Sequence, residues 1–160
     1  MAKTPSALYG GLDFHKDNTY CALIDTGRNP VFERRLPNTL DSILKALEPY
    51  QQRIKTLVVE STFNWYWLVD GLRDHGYDTR LANPARMQEN IGLKHANDKT
   101  DARFIANQLL LGCLPEGYIY PKETRGVKAL ANKLSKACYF ILRERKPFDL
   151  QHLIGGNVQN

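Results

Sequence analysis

The run Thr56-Leu57-Val58-Val59-Glu60 constrains this chain more than any other segment. It is short, apolar and rich in β-branched residues, so it reads as a strand buried on both faces. A strand of that kind needs partners beside it in a sheet and helices above and below. It also ends in a carboxylate. An ionised carboxylate next to a core is costly unless something cationic meets it. A Val-Val-Glu strand end rarely serves packing, so Glu60 stands out as a candidate for chemistry.

The rest of the chain supplies the partners. Residues 7–14, 19–25 and 30–36 read as strands, the last two joined through Thr26-Gly27-Arg28-Asn29, a connection suited to a hairpin. Asn38 reads as an N-cap, followed by Leu40, Ile43, Leu44 and Leu47 on one helix face, with Pro49 as the stop. Ser61 or Thr62 reads as the cap of a second helix that buries Trp65, Leu68, Val69 and Leu72 and ends at Gly76. A short strand over 77–82 follows and is broken by Asn83-Pro84. Residues 85–97 are basic and weakly patterned, and read as a helix fragment and a mobile loop leading into the site. A helix is expected from Asp98 to about Cys113, then a loop at Leu114-Pro115-Glu116-Gly117. A last helix, from about Glu123 to Arg145, has Val127, Leu130, Ala131, Leu134, Cys138 and Ile141 as its apolar seam.

Three strands, helix, strand, helix, strand and then helices predict an α/β protein with a mixed sheet flanked by helices. That is the plan of the ribonuclease H-like (RuvC-like) fold, which builds its sites at strand ends with a carboxylate donated by a following helix. The division expected is a catalytic domain over 1–121, a basic amphipathic helix over 122–149 and a disordered tail over 150–160.

Three more acids fall where this fold would gather them. Asp13 ends the first strand, and Asp98 and Asp101 lie one turn apart at the start of a helix. They share a face with Ala102, Ile105 and Leu109, and the helix N-terminus favours negative charge. Alone, Asp13 reads sooner as a turn or cap acid, and the Asp98/Asp101 pair as ordinary helix surface. Together with Glu60 they form a candidate catalytic and metal-binding set. Four converging carboxylates repel, and two Mg²⁺ or Mn²⁺ ions are the usual remedy. Such a pair can clamp the attacking and leaving oxygens of a phosphodiester. His15 is a possible general base or a simple turn histidine. His75 is expected to meet the end of its own helix. Trp65 is expected in the core, with Tyr66 or Trp67 more exposed and able to stack on bases.

Charge points the same way. The chain has 160 residues and a formal net charge of +5. Residues 1–84 carry ten basic and ten acidic side chains, so the whole excess lies in 85–160, with twelve against seven. Lys94, Lys99 and Arg103 surround the helix acids, and Lys122, Arg125, Lys128, Lys133 and Lys136 begin a stretch, 122–146, with eight basic residues against two acidic. These are candidate nucleic-acid contacts; a solvated helix face is the alternative. The three cysteines are scattered and lack metal-ligand spacing, as expected of buried, reduced thiols in a cytoplasmic protein. No apolar stretch approaches membrane-spanning length, and no signal region follows the N-terminus. No Gly-rich phosphate-cradling loop in the second half supports an actin-like phosphotransferase.

The motifs Gly11-Leu12-Asp13-Phe14-His15-Lys16, Val59-Glu60-Ser61-Thr62 with Trp65-Tyr66-Trp67, Ala82-Asn83-Pro84, Asp98-Lys99-Thr100-Asp101-Ala102-Arg103 and Leu114-Pro115-Glu116-Gly117-Tyr118 occur in that order. In content and spacing, from residue 9 to about 126, they resemble the N-terminal domain of DEDD transposases of the insertion sequence 110 family, kin to pilin-gene invertases. The resemblance implies a tetrad at Asp13, Glu60, Asp98 and Asp101, a domain similar to Holliday-junction resolvases, and divalent metal. It implies DNA as substrate, cut and joined during transposition, with an element-encoded guide RNA and a homo-oligomeric assembly. Members of that family are about twice as long and carry a second domain with a nucleophilic serine. Residues 129–149 here resemble their extreme C-terminus instead. The expectation is therefore an internally deleted remnant, active or inactive, in which Ser135 is ordinary helix surface. A stand-alone junction-resolving nuclease and a non-catalytic DNA- or RNA-binding remnant are the alternatives.

Overall fold

The computed structural model describes residues 6–61, 64–89 and 98–145. Strands β1 (Leu8–Phe14), β2 (Asn18–Asp25) and β3 (Pro30–Pro37) form an antiparallel meander. Helix α1 (Leu40–Leu47) leads through a 3₁₀ turn (Glu48–Tyr50) into β4 (Ile54–Glu60). Helix α2 (Tyr66–Asp74) leads into β5 (Thr79–Ala82). Helices α3 (Pro84–Glu89), α4 (Asp98–Leu110) and α5 (Lys122–Glu144) follow. The sheet order is β3-β2-β1-β4-β5, with β1–β4 and β4–β5 parallel. This is the mixed, helix-flanked α/β sheet expected of a ribonuclease H-like fold.

The chain divides into two units, Met1–Ile119 and Tyr120–Asn160. The first holds the sheet. On one side Ile43, Leu47, Leu68 and Leu72 of α1 and α2 pack over Leu8, Leu12, Leu57 and Val59. On the other, Ile105 and Leu109 of α4 and Met87 of α3 cover Val58 and Ala82. The second unit contains α5, whose Val127, Leu130 and Leu134 are exposed. The tail 150–160 and the loop residues 90–97 lie outside the described residues.

Several local expectations change. Thr39, not Asn38, caps α1, its side chain accepting a bond from the Ser42 amide. Helix α1 does end just before Pro49, at Leu47, and Pro49 then sits at the start of the 3₁₀ turn, where its missing N–H costs nothing. Helix α2 has Trp65 at its N-cap with no side-chain cap bond, so Ser61 does not cap it, and Thr62 lies outside the described residues. The Ser61 amide instead bonds the Ala82 carbonyl. Tyr66 and Trp67 are both half-buried, Trp67 edge-on to Phe14 and Tyr66 stacked on Trp65. All three cysteines are free, but only Cys21 is buried, and burial pushes its thiol up to about 12. His75 behaves as expected, its Nδ1 lying 2.7 Å from the Gly71 carbonyl oxygen.

The expected loop at 114–117 also does structural work. The Gly117 amide bonds the Leu81 carbonyl, the Asn83 amide bonds that of Pro115, and Ala82 bridges to Glu116. Arg80 and Glu116 add an ion pair at 2.6 Å. This segment covers the outer edge of β5 and satisfies backbone groups that an open edge would leave unpaired.

Candidate active site

Strand periodicity brings the first two acids together. Side chains alternate across a sheet, so Gly11 and Asp13 of β1 share a face, as do Val58 and Glu60 of β4. The parallel register pairs Gly11 with Val58 and Leu12 with Val59; one step further sets Asp13 beside Glu60. Val58 lies under Ile105 of α4, so Asp13 and Glu60 are on the α4 side of the sheet. Helix α4 can lie that close because of Gly11. A Cβ there would stand 2.0 Å from the Ala102 carbonyl oxygen, closer than any side chain can tolerate. Asp101 precedes that alanine and so reaches the strand end.

The electrostatics follow from this convergence. Asp13 is 2 % exposed. Glu60 is partly buried, and its carboxyl group is pushed up to about 7. Burial is the first cause, then the shared carboxyl–carboxylate hydrogen bond with Asp13, then the charges of Asp13 and Asp101; His15 pulls weakly the other way. His15 Nε2 lies 2.9 Å from Asp13 Oδ2. The buried Asp13 is thus met by an imidazole and a protonatable carboxyl group.

Of the four acids, the structure brings Asp13, Glu60 and Asp101 together. Asp98 opens α4 one turn before Asp101. Its side chain and that of Lys99 lie outside the described residues, as does Lys94. Among the described residues, no three His, Cys, Asp or Glu side chains are already drawn to metal-binding spacing. The donor set is nonetheless all carboxylate oxygen, the chemistry of Mg²⁺ and Mn²⁺. Burial, and after it the neighbouring Asp13 and Asp101 carboxylates, raise Glu60, and a bound cation would offset the part that comes from charge. The residues therefore fit a hard divalent ion.

The basic candidates fare unevenly. Arg103 grips Glu33 of β3 with both ends of its guanidinium, the Nη2–Oε2 bond being 2.6 Å, which ties α4 to the sheet. Arg125 donates to the Tyr120 carbonyl oxygen at 2.8 Å, and Lys128 Nζ lies 3.5 Å over the Tyr120 ring. Lys122, Lys133 and Lys136 are exposed. At 100° per residue, Lys122, Arg125, Lys136 and Arg143 lie on the side of α5 away from Val127, Leu130 and Leu134.

Two features escaped the sequence reading. Asp13-x-His15 is an i, i+2 spacing at a strand end, and that spacing is the signal that the two side chains can meet. The Arg103–Glu33 pair spans 70 positions and leaves no local signal.

The family model for transposases of the DEDD type of insertion sequence 110 matches residues 10–136. The chain belongs to this transposase family. The match covers every element from β1 into α5 and extends past residue 126. No curated protein matches the chain. Membership places the chain among proteins of DNA transposition, which fits its basic second half. No helix among the described residues is long and apolar enough to cross a membrane.

Proposed function

We propose that this transposase-family chain uses Asp13, Glu60, Asp98 and Asp101 as a metal-dependent site for cutting DNA strands. The observation that supports the reading is the meeting of Glu60 with Asp13 across the parallel β1–β4 register under α4. Burial first, then the hydrogen bond and charge of Asp13 and the charge of Asp101, raise the affinity of Glu60 for a proton. A group in that position has the same reason to accept a cation.

The four carboxylates would hold Mg²⁺ or Mn²⁺, two ions in the full site. When bound, the ions supply hydroxide at neutral pH and stabilise the charge that develops on the phosphate oxygens. The chain's own contribution is placement. The parallel register sets Asp13 against Glu60, Gly11 admits α4, and α4 carries Asp101 toward them; Asp98, one turn earlier, is proposed to complete the set. His15 holds one oxygen of Asp13. The basic face of α5 is proposed to meet phosphates of DNA, or of an element-encoded guide RNA.

Strand joining, by the family resemblance, also needs a nucleophilic serine from a further domain, in a homo-oligomer. The test is Mg²⁺- or Mn²⁺-dependent cleavage of branched DNA, with Glu60→Gln as the control that removes it. A second reading, a non-catalytic DNA- or RNA-binding remnant, is favoured by the charge of α5. It requires salt-dependent binding with no cleavage and no metal uptake.

A further inference from the structure

We propose that Asn38, backed by Thr19, is a positioning residue that delivers His15 to Asp13; the proposal rests on the acidic-site reading above. Asn38 follows β3, and its amide crosses to the β1–β2 turn. Nδ2 donates to the His15 carbonyl oxygen at 2.6 Å and to the Lys16 carbonyl oxygen at 3.0 Å. Oδ1 accepts the Thr19 hydroxyl at 2.6 Å. The two carbonyls can only accept, so the NH₂ group must face them, and the oxygen must then face Thr19. Thr19 is fully buried, so this end of the clamp sits in a rigid wall.

The clamp holds the segment that carries the imidazole. Within the turn the His15 amide donates to the Asn18 carbonyl oxygen at 3.0 Å. Residues 15–17 are otherwise exposed. Without Asn38, the carbonyls of His15 and Lys16 lose their side-chain donor and the turn can rotate. With it, the His15 backbone is held where Nε2 reaches Asp13 Oδ2. One oxygen of Asp13 is thereby committed to the imidazole, and a cation, when bound, would have to compete with Glu60 for what remains of that carboxylate. Asn38 touches neither Asp13 nor a cation, so its influence runs through His15.

Loss of an outer partner of a metal-ligating carboxylate typically lowers metal affinity by about 10–100-fold. Asn38→Asp keeps the side-chain volume and can still accept from Thr19, but turns two donated bonds into repulsion. The experiment uses the full chain, titrated with Mn²⁺ by calorimetry, and reads the His15 imidazole by ¹⁵N-edited NMR without metal. Expected are a roughly 10-fold weaker Mn²⁺ affinity in Asn38→Asp, a similar loss in His15→Ala, and no further loss when the two are combined. The His15 resonances should shift in Asn38→Asp, and shift less in Thr19→Val. Additive losses, or unmoved His15 resonances in a variant that is folded by its melting transition, would overturn the proposal. If the wild type takes up no Mn²⁺, the acidic-site reading fails, while the NMR comparison still decides whether Asn38 positions His15.

Discussion

Glu60→Gln should make the metal-free protein more stable above neutral pH while abolishing its response to metal. Glu60 has an ordinary value of 4.5 and is raised to about 7 in the fold. The folded chain therefore keeps a proton between these values that the unfolded chain has lost. Stability falls as pH rises through that window and levels off above it, because the unfolded state binds fewer protons there. Raising the group from 4.5 to about 7 corresponds to a ceiling of about 3.4 kcal/mol. Glu60 is only partly buried, and solvent screening reduces this to about 1–2 kcal/mol. Glutamine imitates the protonated acid and escapes the penalty. The gap between variant and wild type should be near zero at pH 4.5 and open to about 1–2 kcal/mol by pH 8. Urea unfolding in EDTA, followed by Trp65 and Trp67 fluorescence, measures it. Adding Mg²⁺ or Mn²⁺ at pH 8 should then stabilise the wild type and leave the variant unmoved. The reasoning is refuted if Glu60→Gln is no more stable than wild type at pH 8, or if metal stabilises both equally.

Other consequences follow from the same geometry. Gly11→Ala drives a methyl into the Ala102 carbonyl; it should cost about 1–3 kcal/mol in urea unfolding and weaken Mn²⁺ uptake by pushing Asp101 away. Arg103→Ala should cost about 1–2 kcal/mol with Glu33 present and much less in Glu33→Ala, a coupling read from the double-mutant cycle. Because Arg103 is engaged by Glu33, Arg103→Gln should leave the salt dependence of DNA binding unchanged. Lys133→Gln with Lys136→Gln should reduce the slope of log K against log salt by about 2 in fluorescence anisotropy.

How much of this was legible depended on the range of the forces involved. The strands announced themselves through β-branched apolar runs, and the helices through their spacing, because each pattern is satisfied within one element. Boundaries needed more. Asn38 and Thr39 are both good cap residues by type, and Thr39 takes the cap while Asn38 is drawn off by two turn carbonyls 22 and 23 positions away. The edge-covering segment at 115–117 has no strand propensity, since its role is to supply backbone partners. Arg103 looked like a phosphate ligand by composition, and only the folded sheet brings Glu33 to it.

The acidic site shows the same division. That Glu60 ends a buried strand is a local fact and could be read directly. That Asp13 meets it depends on register, and register follows from which face of β1 and β4 is buried against which helices. The least visible determinant is Gly11. In the sequence it looks like permissive backbone before an acid. In the fold its missing methyl sets how near α4 comes to β1, and so whether Asp101 joins Asp13 and Glu60. Gly10 faces the opposite side, where a Cβ would stand 2.4 Å from Leu57 Cδ2, a flexible side chain that can move. The two glycines are thus unequal: alanine at position 10 asks a leucine to repack, while alanine at position 11 asks a helix backbone to move. The acidic cluster is as much a product of that absent atom as of the carboxylates themselves.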